Sequence, residues 1–259
     1  MPPFNTETRP PPPTAVTRHH EYYIFSGDLF FLAREKVYFR VHSHFFHKFS
    51  GYWRSHMAGP VSPGDNRRPA GFHESTAFLI DLDPDDFALF LLVFYNPKYD
   101  LYNLTLDEWN TLLRLATEWD CPKIREMVFS RIDKMPALDV ISKIKLYTQY
   151  KAPHSYLLPL CFQLAVRDRM PGREEFRLFD YDTFYNIFTA REMLRTPLAS
   201  TSQGTPVHLT PDEKFDIVAV AFGLHPQEIA TLRTSVVPLI VEASQPSSLP
   251  RNRGGIPKN

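Results

Sequence analysis

The sequence predicts an α+β fold, with strands near the N terminus and helices through most of the remaining chain. Residues 29–33 and 37–41 are short apolar runs rich in β-branched and aromatic side chains, which indicates a β-hairpin. In the second run apolar and polar side chains alternate, so one face of the strand is apolar. After residue 42 the apolar spacing changes from two to three and four, which is typical of an amphipathic helix.

The segment after the hairpin is predicted as a single helix over residues 43–57. Ser43 stands where an N-cap is expected, because its hydroxyl can accept a hydrogen bond from a free backbone N–H. The apolar stripe of this helix consists of Phe45, Phe46, Phe49, Trp53 and Met57. Residues 58–75 are rich in Gly, Pro and Asn and are predicted as a loop, followed by a third strand at 76–82.

Three further helices have clear start signals. Asp83 is placed as an N-cap before Pro84, Thr105 and Glu108 form a capping box, and Pro122 opens the third helix. The first of these helices is predicted to stop at Asn96-Pro97. The apolar residues expected on their buried faces are Phe87, Phe90, Leu91, Phe94, Trp109, Leu112, Leu113, Ala116, Ile124, Val128 and Ile132.

The chain beyond residue 135 is also predicted to be helical. Helical apolar spacing indicates helices at 138–150, 154–170, 180–194, 210–222 and from Pro226 onward. Residues 196–209 are predicted as a loop. The Pro-rich segment 1–18 and the Pro-, Ser- and Arg-rich segment 244–259 are predicted to be disordered tails.

Composition restricts the class of partner. The chain has 29 basic and 29 acidic residues, so its formal net charge of zero gives no footprint for nucleic acid or an anionic membrane. The longest apolar run, 87–95, is far shorter than the roughly 20 residues of a transmembrane helix. The N-terminal residues lack the apolar core of a secretory signal. These features predict a soluble intracellular protein, in the cytoplasm, the nucleus or both.

Catalytic and ion-binding motifs do not occur in the sequence. It contains no Gly-rich phosphate loop, no G-x-S-x-G and no H-E-x-x-H. The spacing of Asp81, Asp83 and Asp85 is similar to the start of an EF-hand loop. The sixth and twelfth positions of that loop require Gly and Glu, and here they are Asp86 and Leu92. Helix capping accounts for these acids.

Histidine and cysteine do not indicate a metal site either. No cysteine or carboxylate stands at ligand spacing from the dense histidines His42, His44, His47 and His56. Two cysteines cannot form a disulfide framework, which favours a reducing compartment. Cys121 and Cys161 lie in apolar helical patterns, where a small buried thiol is expected. The sequence predicts no catalytic residues, no cofactor and no metal, and hence no enzyme.

The order of residues from 28 to 57 resembles the BTB/POZ domain. An Asp opens the first strand, an apolar-x-apolar-His sequence ends the second, and a helix with aromatic residues four apart closes in Met. The residues that carry this resemblance are Asp28, Leu29, Phe39, Val41, His42, Phe49, Trp53 and Met57. It extends to about residue 134 and is most similar to fungal BTB proteins. The resemblance implies a BTB/POZ domain at 19–134, a small mixed sheet with surrounding helices, and a helical extension at 135–243.

The resemblance also implies a partner-binding motif. BTB proteins that recruit a cullin ubiquitin-ligase scaffold carry an apolar-x-Glu motif in the loop before the third strand, and Phe72-His73-Glu74 stands at that position. Phe72 and Glu74 are therefore the candidate partner-binding residues. The alternative is that Phe72 packs back on its own domain.

BTB domains also form homodimers through a helical face, often with exchange of an N-terminal strand. The apolar run 22–25 either pairs across such an interface or covers its own core edge. The expected function is a non-catalytic protein–protein interaction module or adaptor, dimeric or presenting clients to a cullin-type ubiquitin ligase. The alternative is a transcription-linked BTB scaffold without direct DNA contact, because zinc fingers and basic patches do not occur.

Overall fold

The computed structural model describes residues 16–57, 70–96, 103–136, 138–196 and 209–243, with residue 235 and residues 239–243 described by their backbone alone. The chain divides into two compact units, and the boundary between them lies between Ile132 and Asp133. The sequence-based boundary stands at residues 134 and 135.

The first unit contains a four-stranded mixed sheet. Its strand order is β1-β3-β2-β4; β2 and β3 are antiparallel, whereas β1 runs parallel to β3 and β4 runs parallel to β2. The predicted α+β class is confirmed, and both hairpin strands lie at the predicted residues. The strands are β1 (Thr17–Tyr23), β2 (Leu29–Ala33), β3 (Val37–Val41) and β4 (Phe78–Ile80).

In the described part of the first unit, helices pack on the core face of this sheet. Phe31 at the centre of the sheet is fully buried and contacts the rings of Trp53 and Phe87 at 4.9 and 5.0 Å between centroids. Edge-on ring contacts of this kind add to the burial of apolar area. The helices are α1 (Ser43–Phe49), α2 (Gly51–Met57), α3 (Pro84–Tyr95), α4 (Leu106–Glu118) and α5 (Pro122–Asp133), with a short 3-10 helix at Glu74–Thr76.

The prediction of one helix over 43–57 is wrong. Ser50 has extended backbone angles, φ −117° and ψ 122°, and separates α1 from α2. Its hydroxyl donates to the carbonyl of Trp119 at 2.6 Å and accepts from the amide of Trp53 at 3.0 Å. The amide of Gly51 donates to the carbonyl of Asp120 at 2.9 Å. The free N–H groups at the start of α2 are thus satisfied by a distant turn, a contact that apolar spacing does not reveal.

The prediction of Ser43 as an N-cap is also wrong. His42 occupies the N-cap position of α1 without a side-chain cap, and Ser43 is the first helical residue. Asp28 supplies the cap from outside the helix: its carboxylate accepts from the Ser43 amide and the Ser43 hydroxyl, both at 2.7 Å. A carboxylate at this end also complements the positive pole of the helix dipole.

Several other elements differ in extent from their predictions. Strand β1 begins at Thr17, inside the segment 1–18 that is predicted to be a tail, and β4 is shorter than the predicted strand 76–82 because Thr76 belongs to the 3-10 helix. Cys121 lies between α4 and α5 rather than inside a helix. Most of the predicted loops 58–75 and 196–209, residues 1–15 and the tail 244–259 fall outside the described residues.

All the regular secondary structure described in the second unit is helical. The predicted helix starts at His154, Thr210 and Pro226 are confirmed, whereas the first helix after the boundary is capped by Asp139 and α7 ends at Val166, before the predicted residue 170. The short helix α8 is not predicted by the sequence. The helices are α6 (Val140–Gln149), α7 (His154–Val166), α8 (Arg173–Phe176), α9 (Tyr181–Arg195), α10 (Pro211–Ala221) and α11 (Pro226–Ala243).

A separate apolar core holds the second unit together. Phe215 of α10 is fully buried, and it packs in one cluster with Leu158 of α7 and Ala190 of α9. Burial of aliphatic and aromatic area of this kind is the main favourable term in folding. Among the helices of the described residues, none is long and apolar enough to cross a membrane.

Candidate protein-interaction surface

The segment that carries Phe72 and Glu74 is fixed to the sheet at Gly71. The amide of Phe30 in β2 donates to the carbonyl of Gly71 at 2.7 Å. Gly71 has a φ of +84°, and a Cβ at this position would lie 2.2 Å from the ring of Phe78. Both the backbone conformation and the close contact require glycine here. Phe72 therefore leaves the sheet in a defined direction.

Phe72 and Glu74 differ in how free they are to meet a partner. The side chain of Phe72 is 39% exposed. The carboxylate of Glu74 accepts from the guanidinium of Arg18 in β1 at 3.1 to 3.3 Å through both oxygens. His73 between them caps the 3-10 helix, since its Nδ1 accepts from the amide of Ser75 at 3.2 Å. The motif thus presents one half-exposed ring beside an ion pair.

An arginine–aromatic cluster lies beside this segment on the sheet face opposite the core. The Arg18 guanidinium lies 4.6 Å from the Tyr23 ring, and that of Arg40 lies 5.8 Å from Phe25 and 5.3 Å from Phe30. Such cation–π contacts are favourable but weak at exposed sites. The Phe25 side chain is 91% exposed. We call this group the outer-face cluster; it consists of Arg18, Tyr23, Phe25, Phe30, Arg40 and Glu74.

Within the outer-face cluster, Arg18 is stabilised in its charged form by Glu74. The hydrogen bond and the charge of Glu74 raise the pKa of Arg18, so the guanidinium stays protonated. Partial burial and the nearby Glu74 raise the pKa of Tyr23. The Tyr23 hydroxyl is therefore neutral at physiological pH. Phe30 is buried and Arg40 donates from Nε to the carbonyl of Gly27 at 2.7 Å, so the most exposed parts of the cluster are the Phe25 ring and the Arg18–Glu74 pair.

His42 joins the end of β3 to the end of α3. Its Nε2 lies 3.1 Å from the Ser26 hydroxyl, and its Nδ1 lies 2.9 Å from the Tyr95 hydroxyl, which also accepts from the His42 amide at 2.8 Å. Either tautomer of His42 can satisfy both ring contacts, one as donor and the other as acceptor. The ring therefore connects the end of β3 to Tyr95 of α3 and to Ser26.

The other residues of the BTB-like pattern lie in or against the core. Phe39 and Val41 of β3 are fully buried, and Trp53 is nearly so. Phe49 and Met57 are half-buried, with Phe49 stacked on Phe94 at 5.8 Å between ring centroids. Asp28 caps α1 as described above.

The described residues contain no group of three or more His, Cys, Asp or Glu side chains placed to hold a metal ion. Cys121 and Cys161 are both buried free thiols. Burial raises the pKa of Cys121 to about 11 and that of Cys161 further, so neither is a reactive thiolate at neutral pH.

Comparison with known proteins identifies no relative. No family model matches the chain, and no curated protein matches it. The BTB/POZ resemblance therefore stays a prediction. The geometry of the outer-face cluster and of the Phe72 segment is the observation that bears on function.

Sequence reasoning missed most of the outer-face cluster. Arg18 lies in the segment predicted to be a tail, and its partner Glu74 is 56 residues away, so no local signal connects them. Arg40 was detectable, because it occupies a polar position in the alternation of β3 and therefore faces away from the core. Phe25 follows a strand that the sequence does not predict.

Proposed function

We propose that the first unit is a BTB/POZ-type interaction module and that the protein acts without catalysis, as an adaptor that binds a cullin-type ubiquitin-ligase scaffold. The observation that carries this proposal is the half-exposed Phe72, held on a segment whose start is fixed by Gly71. A rigidly presented aromatic side chain is typical of a binding hot spot, because little conformational entropy is lost on binding.

Glu74 has a different role in this proposal from that of Phe72. Its carboxylate is already bound to Arg18, and both side chains remain partly exposed. A partner that used Glu74 would share this carboxylate or displace Arg18. Phe72 thus supplies the main apolar contact, and the Arg18–Glu74 pair positions the segment and adds polar contacts at the rim.

Co-elution of the full chain with a purified cullin N-terminal domain tests this function. We expect a complex in size-exclusion chromatography with light scattering, and we expect the double change Phe72→Ala, Glu74→Ala to abolish it. Val220→Ala is a matched control, because Val220 is an exposed apolar residue of the second unit. A double variant that co-elutes as well as the wild type would refute the assignment of the motif. If the wild-type chain does not co-elute with the cullin domain, cullin recruitment itself is refuted.

A further inference from the structure

Helix α9 has apolar side chains on two opposite faces. Ile187 and Ala190 are fully buried in the second unit. On the opposite face, Tyr181 is 74% exposed, Tyr185 is 54% exposed and Phe188 is 38% exposed. The spacing of four and three places these rings in one line. The solvent face of an ordinary amphipathic helix is polar, so an aromatic line indicates a contact surface.

The next residue of this line is acidic. Glu192 follows Phe188 by four residues and is exposed. The rings of Tyr181 and Tyr185 stack on each other at 6.2 Å between centroids, but their hydroxyls hydrogen-bond to no residue in the described ranges. The Glu192 carboxylate likewise has no hydrogen-bond partner there. We call Tyr181, Tyr185, Phe188 and Glu192 the α9 stripe.

The α9 stripe is complementary to a second copy of itself that runs in the antiparallel direction. If two α9 helices lie antiparallel with Phe188 facing Phe188, Tyr185 of one copy is level with residue 191 of the other and lies one residue, about 1.5 Å along the axis, from Glu192. In the same register Tyr181 stands opposite Arg195, which is exposed while it also donates to the carbonyl of Arg167 at 3.0 Å. Hydroxyl–carboxylate and arginine–tyrosine contacts are both favourable.

We propose that the α9 stripe binds a second copy of this chain, as an antiparallel helix pair with Phe188 at the two-fold axis. An isologous interface requires a surface that matches itself. The stripe, with Arg195 beside it, meets that requirement, because Phe188 faces Phe188 and each charged group lies near a tyrosine of the other copy. This inference does not rest on the proposed cullin function, which uses a different unit of the chain.

Charge changes at Phe188 test the pairing, because residue 188 would face its own copy. We expect the full-length wild type to dimerise in light scattering. Phe188→Glu and Phe188→Lys should each raise the dimer dissociation constant at least about tenfold, as loss of a central aromatic contact does. An equimolar mixture of the two variants should restore the dimer. A dimer that persists in both variants, or a mixture that stays monomeric, would overturn the proposal.

Single cysteines test the direction of the pairing. Cross-linking traps the dimer covalently, so it detects the pairing even where the substitution weakens the interface. Phe188→Cys should form a disulfide-linked dimer under mild oxidation. Tyr181→Cys should not, because in the antiparallel register two copies of residue 181 lie about 20 Å apart. The wild type controls for Cys121 and Cys161, which are buried. Equal cross-linking of both variants, or of neither, would contradict the arrangement; thermal unfolding of each variant checks that it is folded.

Discussion

At the scale of single residues, Gly27 is the glycine whose surroundings are least able to move. A Cβ at this position would lie 2.9 Å from backbone atoms of Arg40 and Val41. We expect Gly27→Ala to lower the free energy of unfolding by about 1–3 kcal/mol, because strand β3 would have to shift. Urea denaturation measures this loss. A variant with the wild-type urea midpoint would contradict this expectation, because the loop before β2 would then accommodate the added Cβ without loss of stability.

The turn between β2 and β3 carries strain that a substitution can remove. Arg34 and Glu35 have φ values of +43° and +54°, and the amide of Lys36 donates to the carbonyl of Ala33 at 2.9 Å. Two positive φ values give a turn in which Gly and Asn are favoured. We expect Glu35→Gly to raise the free energy of unfolding by about 0.5–1 kcal/mol.

Lys36→Gly is the matched control for this turn. Lys36 does not have a positive φ, so glycine relieves no strain there and costs backbone entropy. It should lower the free energy of unfolding in the same urea experiment. If both glycine variants are destabilised alike, the strain at Glu35 is not real.

At the scale of elements, the cap of α1 makes stability depend on pH. Partial burial raises the pKa of Asp28, but the hydrogen bonds from Ser43 and the nearby His42 outweigh it, so that the pKa lies below its usual value. Hydrogen bonds from Thr105 likewise lower the pKa of Glu108. Because these pKa values are lower in the folded protein, their stabilisation is complete above about pH 4 and is lost as pH falls below it.

Asp28→Asn isolates the contribution of this cap. Asn can still accept from the Ser43 amide through Oδ1, although its Nδ2 cannot accept from the Ser43 hydroxyl, and it does not titrate in this range. We expect the free energy of unfolding to fall less between pH 7 and pH 3 in the variant than in the wild type, as measured by urea denaturation at both pH values. Equal losses in the two proteins would mean that Asp28 does not contribute to acid sensitivity.

The C-terminal end of α7 depends on a buried arginine. The Arg191 guanidinium donates to the carbonyls of Leu164, Ala165 and Arg167, at 3.2 and 2.7 Å for the last two. Burial lowers the pKa of Arg191, as do the neighbouring cations, yet its ordinary value is so high that it stays charged. We expect Arg191→Met to cost about 2–4 kcal/mol, because several buried carbonyls lose their donor.

Arg195→Met is the comparison for this prediction. Arg195 reaches the same helix end from an exposed position, where water can replace its hydrogen bonds. Its replacement should cost less than about 1 kcal/mol in thermal or urea unfolding. If Arg195→Met and Arg191→Met lower the free energy of unfolding equally, burial is not the reason that Arg191 matters.

Helix starts were predictable from the sequence because capping is local. Asp83, Thr105 with Glu108, and Thr210 all cap the helices that follow them. The break at Ser50 was not predictable from the sequence, because the groups that satisfy the start of α2 come from residues 119 and 120. Strand β1 was missed for the same reason, since its partner is β3 and not a neighbouring segment.

At the scale of the whole molecule, the surroundings of the candidate site depend on contacts between distant residues. Phe72 and Glu74 were proposed from the resemblance to BTB proteins, and the structure brings Glu74 onto Arg18, which a sequence pattern alone could not show. Exposed aromatic residues raise the same difficulty: on α9 the spacing predicts a helix, but which of its two apolar faces is buried is decided by the rest of the second unit.

The most direct test of the central claim is titration calorimetry of the full chain with a purified cullin N-terminal domain. We expect measurable binding for the wild type and for Val220→Ala, and an affinity at least about tenfold lower for Phe72→Ala, because Phe72 is the main apolar anchor. Arg18→Ala should weaken binding less, since it only loosens the position of Glu74. No binding by the wild type, or unchanged affinity of Phe72→Ala, would contradict the account.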